Sequence, residues 1–237
     1  MNLSIVLRAL FFILSAGNIT AVALQSQWGI FLTKPLLLTT LSCWFFIETK
    51  ESATLFSKLV LLGLIFSIFG DTLLMFSKPE TEHFFLAGLG SFLLAHLFYI
   101  TAFTKFPAFP AGFVLKKRWP VIPFVLFLIG FCGWIWKGLP LAFKLPVVVY
   151  AFVIVLMALS SLNMKERTGQ AAAGSLFIGA ILFMVSDSAI ALKKFKFHDG
   201  SEVIFGLFIM ATYLMGQYLI ASGASVANKE IVKVKHP

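Results

Sequence analysis

Apolar residues run through this chain in eight blocks separated by short polar stretches. A bilayer core of roughly 30 Å needs about 20 mostly apolar residues per helix. That ruler fits near Leu3–Ala23, Trp28–Ile47, Thr54–Phe76, Phe84–Thr104, Trp119–Trp136, Leu141–Leu162, Gln170–Leu192 and Val203–Gly223. The pattern predicts an all-α polytopic membrane protein with eight transmembrane helices. The first block holds Arg8 and Asn18 and lacks a small-residue cleavage pattern behind a short apolar core, so it reads as a retained helix and not a signal peptide. The longest connection, Lys105–Arg118, is too short for a separate unit, and residues 1–237 read as a single transmembrane domain.

Composition agrees with this pattern. Of the 237 residues 59% are apolar and 12% charged, with a mean hydropathy of +0.96, against about 45–50% and roughly 25% in soluble domains. One soluble core of this length could not hide so many Phe, Leu, Ile and Val side chains. A soluble dehydrogenase, a secreted disulfide scaffold and a disordered linker are disfavoured. Cys43 and Cys132 each sit inside an apolar run, so neither a disulfide framework nor a thiolate metal site is signalled.

Charge sets the expected direction across the membrane, because positive loops stay cytoplasmic. With the N-terminus inside, twelve basic residues are cytoplasmic: Arg8, Lys50, Lys58, Lys105, Lys116, Lys117, Arg118, Lys165, Arg167, Lys229, Lys233 and Lys235. Six fall on the other side: Lys78, Lys137, Lys144, Lys193, Lys194 and Lys196. Both termini are therefore expected in the cytoplasm, in the plasma or inner membrane of a bacterium. The net charge of +9 follows from this topology and from contact with anionic membrane lipids; it needs no nucleic acid.

A shift of 116 residues lays Gly70-Asp71-Thr72 over Ser186-Asp187-Ser188, Gly90 over Gly206 and His96 over Thr212. The third and fourth spans thus resemble the seventh and eighth, which suggests a 4+4 parallel repeat.

An ionised side chain at the bilayer centre costs on the order of 2.5–3.5 kcal/mol even on lenient scales, so each one calls for a reason. Lys34, Asp71, His96 and Asp187 qualify, together with the neutral Asn18. Asp71, Asp187, Lys34 and Asn18 fall at similar depth toward the non-cytoplasmic side, Tyr150 slightly deeper and His96 nearer the middle. This layer implies a water-bearing cavity. Ser67 lies one turn before Asp71 on the same face, Tyr99 follows His96 by three positions, and Tyr213 and Gln217 are four apart on the last span. Facing lipid they would lack partners, so they are placed toward the cavity. Ser186 and Ser188 are expected to bond to carbonyls in the preceding turn.

Structural readings compete with functional ones. An Asp–Lys34 ion pair would tie helices together, His96 would be a packing residue, and Lys34 would snorkel to the interface. Asn18, Tyr150 and Gln217 read more readily as structural. Two carboxylates facing one lysine leave unbalanced negative charge, which favours function for Asp71 and Asp187. Trp28, Trp44, Trp119, Trp134 and Trp136 read as an aromatic belt, and the many Phe residues as lipid-facing bulk. The chain has no G-x-S-x-G elbow, H-E-x-x-H helix or Walker-type loop. Asp71, His96 and Asp187 make the one ligand set worth weighing for a metal.

Several stretches resemble the YhhN-like membrane family across nearly the whole chain. These are Lys34-Pro35, Gly70-Asp71-Thr72-Leu73-Leu74-Met75, the run from Phe92 to Tyr99 through His96, Leu145 to Tyr150, Ser186-Asp187-Ser188 with the four residues after it, and Tyr213 to Ile220 through Gln217. The family contains the lysoplasmalogenases, which cut the vinyl ether of lysoplasmalogens to a fatty aldehyde and glycerophosphoethanolamine or glycerophosphocholine. The resemblance therefore implies a lipid hydrolase that draws a lysophospholipid from the bilayer.

Vinyl ether hydrolysis begins with protonation of the terminal alkene carbon, giving an oxocarbenium ion that water captures. It needs a protonated acid and a nearby anion, as glycoside hydrolysis does. Asp71 and Asp187 fit that demand as a catalytic pair, with Lys34 and His96 in support and no cofactor or metal required. A proton-coupled transporter built on the same carboxylates is the rival; its mark would be helices broken by Gly or Pro at matching positions, for which Pro35 and Pro146 are candidates. A purely structural or chaperone-like membrane protein is the third reading.

Overall fold

A computed structural model describes residues 2–106, 112–197 and 202–235. The first three long helices begin where the apolar blocks do, and the residues just ahead of them satisfy orphan backbone N–H groups. Asn2 accepts from Ser4 N ahead of α1 (Leu3–Ala23), Ser26 accepts from Gly29 N ahead of α2 (Gln27–Thr49), and Thr54 and Ser57 form a reciprocal capping box on α3 (Leu55–Met75). Then follow α4 (Glu82–Thr104), a short α5 (Phe113–Lys116), α6 (Val121–Ile135), α7 (Leu141–Leu162), α8 (Gln170–Phe195) and α9 (Glu202–Lys235). Eight helices among the described residues are long and apolar enough to cross a membrane.

Two elements depart from the sequence expectation. Helix α9 runs past Gly223 to Lys235, because its polar continuation is buried: Ser225, Ala227, Asn228 and Ile231 all pack inward. Asn228 Nδ2 donates to the Ser52 carbonyl at 2.9 Å and its Oδ1 accepts from Thr54. The connection Lys105–Arg118 contains α5, seated by Asn163 Oδ1, which accepts from Val114 N and Leu115 N at 3.1 and 3.2 Å. Residues 107–111 of that connection and the side chain of Lys235 lie outside the described residues.

Packing is densest between α8 and α9, α3 and α4, and α1 and α2. On the α8–α9 face, a Cβ on Gly179 would meet Gly216 O at 2.7 Å, and one on Gly216 would meet Gly179 O at 2.9 Å, so the two backbones touch through glycine. Helix α6 is the least embedded, burying only Phe124 and Ile135.

The Phe residues are not only lipid-facing bulk. Phe11, Phe45, Phe92, Phe103 and Phe183 are among those buried in the core, since a bundle without a water-driven interior still needs large side chains to fill the space between helices. Nor is Trp44 part of an aromatic belt: it is buried, with Nε1 donating to Ser4 Oγ at 3.1 Å, whereas Trp28, Trp119, Trp134 and Trp136 are exposed.

Candidate active site

The polar residues expected at one depth do come together, but in two shells rather than one. Asp71 on α3 is buried, with Lys34 Nζ 3.5 Å from Oδ1 and Tyr213 Oη donating to Oδ2 at 2.6 Å. Asp187 on α8 is buried in a separate shell: Tyr150 Oη donates to Oδ2, and His96 Nε2 lies 3.2 Å from Oδ2 and 3.0 Å from Tyr150 Oη. The expectation that both carboxylates face Lys34 is corrected. Among the described residues Lys34 pairs with Asp71 alone, and the rings of Phe92, Phe183 and Tyr213 pack edge to face with centroids 5.3–6.0 Å apart, Phe183 also lying against His96.

Local sequence explains who reaches in. Gly70 leaves room for the Phe92 ring: a Cβ there would stand 2.7 Å from it. Pro35 and Pro146 lie inside α2 and α7, the helices that carry Lys34 and Tyr150. Each proline removes one rung of its helix ladder without ending the helix. Since α2 and α7 run unbroken, the discontinuous helices demanded by the transport reading do not occur there. The offset of 116 that relates Asp71 to Asp187 also relates Lys34 to Tyr150, so each aspartate is met by a residue 37 positions before it.

One turn below Asp71, Ser67 accepts from Gln217 Nε2 at 3.0 Å and donates to Gly63 O, while Gln217 Oε1 accepts from Tyr99 at 2.9 Å. Ser67, Tyr99 and Gln217 therefore form a hydrogen-bonded rung of their own, with no direct bond to either aspartate among the described residues. Ser188 bonds back to Met184 O as expected, but Ser186 donates to Ile209 O on α9. Asn18 Nδ2 donates to Thr33 Oγ1 at 2.7 Å, a partner the sequence pattern did not single out.

Three buried atoms of this region have no partner among the described residues: Asp187 Oδ1, His96 Nδ1 and Asn18 Oδ1. Buried polar atoms are rarely left so. Asn18 and Lys34 line a cavity of about 720 Å³ with Gln25, Gln27, Lys78, Lys193, Lys194 and Glu202. The lysines at 78, 193 and 194 were placed by sequence only in connections on the less basic side; here they line one chamber. That chamber shares Leu74, Phe85 and Ile190 with a small apolar cavity of about 40 Å³ that reaches Asp187 and Tyr150. The site is thus a basic vestibule leading to a carboxyl group in an apolar recess. Asp71 is not joined to His96 and Asp187 as a ligand set, and no group of three or more His, Cys, Asp or Glu with metal-binding spacing occurs among the described residues.

The profile of the YhhN family matches residues 29–224, which takes in both aspartates and every residue of their shells. This chain belongs to the YhhN family. This YhhN-family protein is 33% identical over 196 residues to lysoplasmalogenase TMEM86A of Bos taurus, covering 79% of this chain and 72% of that protein. It is 33% identical over 183 residues to lysoplasmalogenase TMEM86A of Homo sapiens, 73% of this chain and 68% of that protein. Against lysoplasmalogenase TMEM86B of Sus scrofa the identity is 29% over 205 residues, covering 86% and 79%. No solved structure matches the chain.

Proposed function

We propose that this protein is a lysoplasmalogenase that hydrolyses the vinyl ether of a lysophospholipid drawn from the bilayer, using the carboxylates Asp71 and Asp187. The observation that carries the reading is the state of Asp187: Oδ2 is held by Tyr150 and lies beside His96, while Oδ1 is buried, unpartnered and next to a cavity. Its relatives named lysoplasmalogenase support the hydrolase class.

In this reading Asp187 acts first as acid. With Oδ2 occupied as an acceptor, the proton sits on Oδ1 and passes to the alkene carbon farther from the ether oxygen. The oxocarbenium ion that results is stabilised by the carboxylate just formed, with the negative charge of Asp71 contributing through a medium of low dielectric. Asp187 then takes a proton from the attacking water, regenerating the acid as the hemiacetal forms. The hemiacetal collapses to the fatty aldehyde and the glycerophospho alcohol, which balances every atom without a cofactor. His96 and Tyr150 hold Oδ2 and fix the carboxyl plane. Lys34 balances Asp71 and borders the vestibule, where a phosphate head group is held by the lysines. With both termini cytoplasmic, the vestibule opens on the opposite side of the membrane.

The experiment is fatty aldehyde release from lysoplasmalogen by the purified protein, beside Asp71→Asn and Asp187→Asn and with chelator added. Release by the wild type, lost in both well-folded variants and untouched by chelator, is the expected result. Full release from Asp187→Asn would overturn the assignment of the acid, and no release from any head-group form would overturn the hydrolase reading.

A further inference from the structure

The side of the molecule facing lipid carries a groove of about 470 Å³ between α6, α8 and α9, lined by Leu126, Gly130, Trp134, Val185, Leu192 and Phe208 among others. It is almost wholly apolar. Three of its lining residues, Phe127, Phe131 and Ser188, also line the small cavity that reaches Asp187. The groove and the basic vestibule therefore meet the recess at Asp187 from two sides. One side is lined by lysines and the other by hydrocarbon.

We propose that this groove is the binding site for the hydrocarbon chain of the lipid substrate, and that the chain passes sideways from the bilayer to Asp187 between α6 and α8. The proposal rests on the reading of Asp187 as acting on a lipid, and it adds where the chain lies and which helix yields to admit it. The occupant follows from the surroundings: in a spanning bundle the only matter that meets a groove on the lipid side is acyl or alkenyl chain. A lipid with one chain and a phosphate head presents its two ends to the two chambers in the order the site offers them.

The recess itself is about 40 Å³, too small for a chain, so the partition must move. The partition is aromatic. Phe127 and Phe131 stack one turn apart on α6, centroids 5.7 Å and planes 14° apart, and both belong to groove and recess alike. Helix α6 is the element best able to shift, since it buries so little of itself. At the vestibule end the groove is closed by Trp134, whose carbonyl accepts from Lys196 Nζ at 3.2 Å while that ammonium lies 4.5 Å from the indole centroid. Such a pairing sits naturally at head-group level and would stop the chain from sliding out.

The test uses the full protein in nanodiscs and a lysophospholipid with a saturated alkyl ether in place of the vinyl ether and a diazirine at the chain end. It cannot be hydrolysed, so labelling is read independently of the reaction. Photolabelling is expected on peptides of α6 and of α8 around Val185–Leu192, competed by unlabelled lysolipid. Nothing lies within 4 Å of an added Cβ at Gly130 or Gly133, but only Gly130 lines the groove. Gly130→Trp is therefore expected to lower labelling at least tenfold, and aldehyde release from long-chain lysoplasmalogen likewise, while Gly133→Trp leaves both unchanged. Label spread over α1 and α2, or unmoved by Gly130→Trp, overturns the chain site even where aldehyde is released. Label confined to the groove without aldehyde release sustains the chain site and refutes the reaction instead.

Discussion

Tyr213 on α9 donates a 2.6 Å hydrogen bond to Asp71 on α3, across 142 positions of sequence. The same two helices meet again one turn deeper, where Gln217 donates to Ser67. Because α3 and α9 run in opposite directions, residues four apart on each form successive rungs. The upper rung is open to the lysine vestibule through Lys34, and the lower is closed by Tyr99. The rung that carries the proposed catalytic aspartate and the rung closed on itself are thus separated by a single helical turn.

Tyr213→Phe keeps the ring that packs on Phe92 and Phe183 and removes only the hydroxyl. Loss of a hydrogen bond to a charged group costs about 1.5–3 kcal/mol. The variant is expected to fold with a melting temperature lowered by a few degrees and, if Asp71 takes part in the reaction, to lose about tenfold or more in kcat/KM for aldehyde release. Unchanged kinetics would remove Asp71 from the reaction.

Lys34 and Asp71 form an ion pair in which the lysine side chain is 17% exposed and the aspartate 5%. Breaking a buried pair on one side costs about 3–5 kcal/mol, because the remaining charge is stranded. Lys34→Met should therefore lower the thermal midpoint in detergent more than the double variant Lys34→Met with Asp71→Asn, in which no charge is left. Additive losses would show that the two residues do not interact.

The fold was legible because the bilayer imposes a length on every apolar block, and α1, α4 and α7 meet that length within a few residues of their predicted limits. The C-terminal part of α9 was not, since the apolar block ends near Gly223 and the burial of Asn228, bonded to Ser52 and Thr54 about 175 positions earlier, exists only in three dimensions. Asp71, Asp187, Lys34 and His96 stood out because charge inside a span is costly. Their division into two shells did not, because it depends on which helices meet: α2 and α9 reach Asp71, whereas α4 and α7 reach Asp187. The lysines at 78, 193 and 194 looked like ordinary loop charges, and only their convergence on one chamber marks them. An internal repeat remains a proposal, supported by the matching offsets of Lys34 and Tyr150 to their aspartates.

Helices α8 and α9 place Asp187 and Tyr213, and their spacing is set by Gly179 and Gly216, where an added Cβ would meet backbone atoms at 2.7 and 2.9 Å. Backbone has no rotamer to yield. Gly216→Val is expected to force the helices apart at a cost of at least about 1–3 kcal/mol, read as a lower melting temperature together with lost activity. Gly174→Ala, with nothing within 4 Å of the new Cβ, should leave the melting temperature unchanged or slightly raised. Equal behaviour of the two would show that the close approach does not set the spacing.

If the vestibule holds a phosphate head group as proposed, its lysines should act on substrate binding and leave bond cleavage unchanged. Lys193 and Lys78 line the chamber, whereas Lys194 is already engaged, 3.7 Å from Glu82. A basic residue near a phosphate contributes about 1 kcal/mol, so Lys78→Ala and Lys193→Ala should each raise KM about fivefold with kcat unchanged, and the effect should shrink as salt screens the wild type. Lys144, which stacks on Trp136 at 4.8 Å and does not line the chamber, serves as the control, and Lys144→Ala should leave KM as it is. A fall in kcat with KM constant would move Lys193 from holding the phosphate to the chemistry itself, and equal effects at all three positions would reduce the vestibule to a diffuse attraction for the lipid surface.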